Sequence, residues 1–191
     1  MTKKILIIDG HPDADPARFL HALADAYAAG AAKGGHLVRR IDVAMIDFPV
    51  LRSRQDWMHG TPVPEIAAAQ ETVRWADHIL FFYPLWLGDV PALLKAFLEQ
   101  IARPGFALAE GTMPKPLLKG RSARLVVTMG MPAFFYRFYF GAHSVKSFER
   151  NILKLVGIKP VEQTLIGNVE GDPDARKRWL DTMTAMGMAA A

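Results

Sequence analysis

Three short segments of this chain carry the residue types that hold a phosphate or a reactive ring. The first is Asp9–Phe19, DGHPDADPARF. It leads into the start of a helix, where unpaired N–H groups and a partial positive charge favour an anion. His11 and Arg18 can add charge-assisted hydrogen bonds to such an anion. Asp13 or Asp15 can also serve simply as a helix cap. The second segment is Tyr83–Asp89, YPLWLGD. Pro84 fixes its φ and lacks a donor, so the chain turns there. Gly88 permits a positive φ or a close backbone approach. Trp86 can cover a planar aromatic group whose polar edge meets the amides of Trp86 and Leu87; it can equally be a core or subunit-contact residue. The third segment is Thr128–His143, TMGMPAFFYRFYFGAH. Thr128 offers a hydroxyl and Gly130 an accessible backbone, while Tyr136 and His143 are the candidate proton donors. Phe134, Phe135, Tyr136, Phe138 and Tyr139 can also be read as packing alone.

Other chemistries lack their residues. There is no cysteine, which excludes disulfides, thiolate metal sites and a thiol nucleophile. No G-x-S-x-G elbow is present, and Ser53, Ser122, Ser144 and Ser147 lie away from any strand-to-helix elbow. The six histidines show no paired ligand spacing, so no metal centre is expected. The net charge of +4 is spread over scattered arginines and lysines. That is not the concentrated stripe that nucleic acid requires, although a positive field around a cleft suits anionic phosphates.

Strands and helices must hold these segments in place. Lys4–Asp9 is a continuous apolar run, the pattern of a strand buried on both faces. Pro16–Lys33 is expected to be a helix stopped by Gly34–Gly35. Leu37–Val43 is the second strand, followed by an aperiodic stretch over Ala44–Pro64, long enough to suggest a functional or partner-contacting role. A helix over Glu65–Trp75, a strand over His78–Tyr83 and a helix over Val90–Ile101 come next, with Asp89 as N-cap and Pro91 in the first turn. After an irregular stretch over Arg103–Arg121, Arg124–Thr128 is a strand and Ala133–His143 a loop. Ser144 would cap a helix ended by Gly157. Pro160–Ile166 is the last strand, and Asp172–Pro173 opens the last helix.

Alternation of strand and helix about five times in 191 residues predicts one α/β domain. The architecture expected is a flavodoxin-like doubly wound parallel sheet, order 2-1-3-4-5, with helices on both faces. Strands one, three and four are then neighbours, so the three segments converge on one crevice. No apolar run is long enough to span a bilayer, and the short run after Lys3–Lys4 meets Asp9 at once. A cytoplasmic protein without membrane insertion is the expectation.

The three segments together resemble the flavodoxin-like NAD(P)H:quinone oxidoreductases, the DT-diaphorase family with its bacterial relatives. The most specific element is Tyr83-Pro-Leu-Trp-Leu-Gly-Asp-Val-Pro-Ala-Leu-Leu-Lys-Ala-Phe, followed by Arg103-Pro-Gly-Phe-Ala. His11-Pro12, the Thr128-Met-Gly loop and Gly141-Ala-His143 fall in the same order. The resemblance implies a homodimer with a flavin at each subunit interface and residues 44–64 wrapped on the partner. It implies that His11, Arg18 and Phe19 lie near the flavin phosphates and ribityl chain, that Pro84, Leu85, Trp86 and Leu87 contact the isoalloxazine, and that Thr128 and Gly130 hold its far side. Tyr136 and His143 would sit over the ring. Where these enzymes commonly carry Ser-Phe-Asn, this chain has Arg18-Phe19-Leu20, so Arg18 would take over the lost phosphate contacts. Spacing to His143 makes Tyr139 a rival to Tyr136.

The RPGF segment points to FAD, with FMN as the alternative the residues alone do not decide. The activity implied is two-electron reduction of quinones or similar acceptors by NAD(P)H in a ping-pong hydride relay. Two other classes share the fold: a non-enzymatic flavodoxin-type carrier, usually acidic where this chain is basic, and a regulatory flavoprotein subunit of a membrane potassium efflux system.

Overall fold

In the computed structural model, residues 1–111 and 115–191 are described. Part of the irregular stretch after Arg103 therefore lies outside the described residues. Five strands, β1 (Lys4–Asp9), β2 (Leu37–Asp42), β3 (His78–Pro84), β4 (Ser122–Thr128) and β5 (Val161–Ile166), form one sheet in the order β2-β1-β3-β4-β5. Every pairing is parallel. The expected architecture is thus present. All seven residues of β3 are buried, and β4 is nearly so, whereas the edge strands β2 and β5 keep several positions in contact with water. That difference follows from helices covering both faces of the sheet's centre.

One face is covered by α1 (Phe19–Lys33) and α8 (Pro173–Ala189), with Leu20, Leu23, Tyr27 and Met183 packed on Ile5, Ile7, Leu80 and Phe82. Two glycines let these helices touch backbone to backbone. A Cβ at Gly30 would lie 2.0 Å from the Thr184 carbonyl oxygen, and one at Gly187 would lie 2.1 Å from that of Tyr27. The opposite face is covered by α3 (Pro64–Trp75), α4 (Ala92–Ile101) and a composite helix. The latter comprises α6 (His143–Ser147), a π-helical stretch over Phe148–Leu153 and α7 (Lys154–Val156). Gly157 ends it with a φ of 98°, as expected of a glycine stop.

Several local expectations are corrected. α1 begins at Phe19, not Pro16, because Asp15 spends its carboxylate on the Ala17 amide in a preceding turn; the Arg18 cap has no side-chain bond. α4 begins at Ala92 with Pro91 at the cap, while Asp89 binds the adjacent Val90 amide. The segment 44–64 contains a helix, α2 (Arg54–His59), capped by the Ser53 hydroxyl. It is anchored from below: buried Arg103 donates to the carbonyls of Asp56 (2.6 Å) and Gly60 (3.0 Å), and Gln100 donates to that of Pro49 (2.6 Å). The aromatic segment folds into a helix too, α5 (Ala133–Phe138). Asp172 caps α8 as the sequence suggests.

No helix among the described residues is long and apolar enough to cross a membrane.

Replacing Gly187 with Ala should cost about 1–3 kcal/mol, since the added methyl must push backbone aside; urea unfolding measures it. A pH dependence follows from His78, buried at the start of β3 with Nδ1 2.7 Å from the Ser122 hydroxyl. Burial, then the charges of Lys3 and Arg124, push its pKa from 6.5 down to about 4. Folding favours the neutral ring, so its contribution is complete above pH 6.5 and lost as pH falls toward 4. Unfolding free energy should drop by on the order of 3 kcal/mol across that window, and His78→Gln should remove that part of the slope.

Candidate active site

The carboxyl ends of β1, β3 and β4 open into a cleft of about 520 Å³, the place where open parallel sheets bind ligands. The parallel register sets its geometry. Asp9 of β1 lies opposite Phe82 of β3, and Pro84 of β3 lies opposite Thr128 of β4. The chain therefore leaves all three strands at one level. His11, Arg18, Phe19, Pro84, Leu85, Trp86, Thr128 and Gly130 all line the cleft.

The β3 turn is a tight hairpin. The Trp86 amide donates to the Asp89 carbonyl (3.0 Å) and the Asp89 amide to that of Trp86 (2.9 Å). Leu87 and Gly88 between them have φ values of 48° and 80°. Positive φ at both central positions is what a type I′ turn needs, so the left-handed expectation for Gly88 holds. Half of the Trp86 surface is exposed on the cleft wall. One expectation is corrected here. The Trp86 amide is spent inside the hairpin and the Leu85 amide on the Thr128 carbonyl (2.8 Å), which leaves the Leu87 amide, at the exposed tip outside the cleft lining.

At the other end of the cleft two arginines, Arg18 and Arg176, stand beside two carboxylates, Asp13 and Glu170. Arg18 is paired with Asp13 (2.7 Å) and more loosely with Asp15 (3.6 Å). The Asp15 amide, then the Arg18 guanidinium, hold the Asp13 carboxyl below the usual range. Arg176 of α8 lies over the Phe19 ring at 5.0 Å and donates to the Val169 carbonyl (2.7 Å). Arg176, Val169 and Glu170 line the cleft and were not singled out from the sequence as site residues. The signal available was the basic run Arg176–Arg178 directly after the Asp172 cap, on the connection leaving β5.

His11 stands between the two ends. Its ring meets Trp86 edge-on at 6.1 Å and His21 at 5.3 Å. Burial, and next the neighbouring His21 charge, lower its pKa, so it is largely neutral at pH 7. Behind it Asp9, 1 % exposed, accepts from Arg40 (2.7 Å), from His21 (2.6 Å) and from the His11 amide (3.1 Å). This cluster around buried Asp9 was also missed; in the sequence Asp9 is 12 positions from His21 and 31 from Arg40.

The proton-donor candidates are placed differently from expectation. Tyr136 is 2 % exposed, and its hydroxyl shares a 2.6 Å hydrogen bond with Ser144 and accepts from the Val145 amide. It belongs to the core and does not line the cleft. Ser144 correspondingly is no N-cap: α6 begins at His143 after Ala142, which adopts a left-handed conformation. His143 is exposed, outside the cleft lining. Tyr139 is 73 % exposed and stacks on Phe135 at 4.8 Å.

A flavin fits these residues. The cleft lies within the size range of cofactor sites, an indole forms one wall, and arginines stand at the far end. A Cβ added at Gly130 would meet no protein atom within 4 Å. The room it leaves is therefore cleft space rather than packing space.

Comparison with known proteins agrees with this geometry. The family described as having a flavodoxin-like fold matches residues 3–186. NAD(P)H dehydrogenase [quinone] 1 of Rattus norvegicus is 26% identical over 94% of this chain and 74% of its own length. FMN-dependent NADH:quinone oxidoreductase 1 of Jannaschia sp. (strain CCS1) is 33% identical over 58% of this chain and 56% of its own. The solved structure of the NAD(P)H:quinone oxidoreductase from Methanothermobacter marburgensis superposes with a TM-score of 0.80 at 23% identity, covering all of both chains, which is a likeness of fold. The resemblance read from the three loops thus holds, and this chain belongs to the flavodoxin-like fold family, beside relatives named as quinone oxidoreductases.

Proposed function

We propose that this oxidoreductase reduces quinones or similar acceptors by two electrons, with NAD(P)H as the donor and a flavin bound in the cleft. One observation carries the reading: a single cleft joins the Trp86 hairpin, the open floor at Gly130 and a pair of arginines, Arg18 and Arg176. A flavin bound there would supply hydride transfer between NAD(P)H and the acceptor, each using the same face in turn. The protein positions the ring against Trp86 and Pro84 and keeps the phosphate end near Arg18, Arg176 and the His11 loop. FAD is the form proposed, on the RPGF segment; the FMN-dependent relative makes FMN the competing form.

The aromatic residues after β4 support a homodimer. Phe134, Phe138 and Tyr139 are 66%, 80% and 73% exposed, beside Phe135 and Phe140. So large an aromatic patch on one protomer is a contact surface, and a second subunit would bring it over a cleft. In that arrangement Tyr139 and His143, both exposed, serve as proton donors to the acceptor, while Tyr136 supports α5 and α6 from within.

Purified protein should be yellow, chromatography should identify the released flavin, and NAD(P)H should be consumed with menadione. A colourless protein that takes up neither flavin would refute the assignment. Arg176→Ala should weaken FMN binding about 10-fold or more while hardly changing that of riboflavin, which lacks the phosphate. His143→Gln and Tyr139→Phe should each slow oxidation of the reduced enzyme by up to about 10²-fold and its reduction by NAD(P)H far less; stopped-flow absorbance separates the two.

A further inference from the structure

The His21 ring is held by two groups that can only accept. Its Nδ1 lies 2.6 Å from Oδ2 of Asp9, and its Nε2 lies 3.0 Å from the carbonyl oxygen of Asp13. The Asp9 carboxylate is buried and already accepts from the Arg40 guanidinium and the His11 amide, so it is an ionised acceptor. A backbone carbonyl has no proton to give. Both contacts are hydrogen bonds only when both ring nitrogens carry hydrogen, which is the imidazolium.

The consequence passes to His11. Its Nδ1 is 3.1 Å from both the amide nitrogen and the carbonyl oxygen of Asp13. The Asp13 amide can only donate, and its hydrogen is directed at Nδ1. Nδ1 of His11 is then the acceptor, and its hydrogen resides on Nε2. Two imidazolium rings with centroids 5.3 Å apart would repel, which also favours a neutral His11.

We propose that His21 is a positioning residue for the cleft: as an imidazolium bridging Asp9 and the Asp13 carbonyl, it pins the His11–Asp13 loop and fixes His11 as the neutral Nε2–H tautomer. The bridge itself needs no ligand; its effect on cofactor binding rests on the flavin reading above.

The Asp9 charge raises and the Arg40 charge lowers the His21 pKa, and other charged groups lie around these. Asp9 comes from β1, Arg40 and Asp42 from β2, and Asp25 from α1; His11, Asp13, Asp15 and Arg18 come from the loop. Arg40 is further engaged by Asp25 and by Asp42 (2.5 Å), and Arg18 by Asp13. Burial works against the charged ring, but the bonds to Asp9 and the Asp13 carbonyl outweigh it and raise the His21 pKa. A raised histidine contributes fully below its unfolded value of 6.5, and the contribution is lost as pH climbs through the folded value.

Long-range ¹H–¹⁵N correlation spectra of the flavin-free protein at pH 7 test the bridge directly. His21 should show two protonated nitrogens, and His11 a protonated Nε2 with a bare Nδ1. A neutral His21, or a His11 protonated at Nδ1, would overturn the proposal. FAD binding, followed by fluorescence from pH 6 to 9, tests the coupling; the pyrophosphate of FAD does not titrate there. Affinity should fall about 10-fold as His21 loses its proton. His21→Asn keeps a donor in the Nδ1 place and His21→Gln one in the Nε2 place. Each should bind FAD more weakly at pH 7, with a flat profile. Variants that retain wild-type affinity and its pH slope would exclude the positioning role. If wild-type protein binds no FAD or FMN, the proposed function fails while the spectra still decide the bridge.

Discussion

The register of β3 between β1 and β4 is the constraint from which the site follows. Parallel pairing advances each strand in step, so Asp9, Pro84 and Thr128 reach the sheet's end within a residue or two of one another. Each strand must then give up its ladder hydrogen bonds. The exits are kept close by a few bonds that continue across them: the Gly10 amide to the Phe82 carbonyl (2.7 Å), Leu85 to Thr128 (2.8 Å) and Met129 to Ile166 (2.9 Å). These bonds align the loops before any side chain contributes, and the cleft is the space left between them.

Close helix packing completes the other half. α8 carries Arg176, and α1 starts at Phe19 directly after Arg18. Gly30 and Gly187 let the same two helices approach at backbone distance. The stacking of Arg176 over Phe19 links the ends of the same helix pair. Packing far from the cleft and the placement of its arginines thus belong to one helix pair.

Buried charge sets the remaining part. Asp9 sits at the end of a strand whose preceding four residues are buried and apolar, a costly place for a carboxylate. Arg40, His21 and the His11 amide satisfy it. The same network holds the first loop where a phosphate-bearing ligand would meet it. Structural neutralisation and site geometry are here one set of bonds, which ties the protonation of His21 to the shape of the cleft wall.

Much of this was legible in the sequence. Runs such as Ile5–Ile8 and Ile79–Phe82 announce strands buried on both faces, and their alternation with amphipathic helices fixes the sheet order, because right-handed crossovers leave few others. The YPLWLGD turn and the three converging loops were likewise readable, since proline, glycine and tryptophan state their conformational and chemical roles locally. What the sequence could not decide was which neighbour each polar group would find. Asp15 looks like a helix cap and makes an earlier turn; Ser144 looks like a cap and binds the Tyr136 hydroxyl instead. Tyr136 and Tyr139 are three positions apart in one aromatic run, yet one lies in the core and the other on the surface. Asp9, His21 and Arg40 are far apart along the chain. Local propensity and periodicity act over a few residues, whereas the pairing of hydrogen-bond donors and charges depends on contacts that exist only once the sheet and its helices have come together.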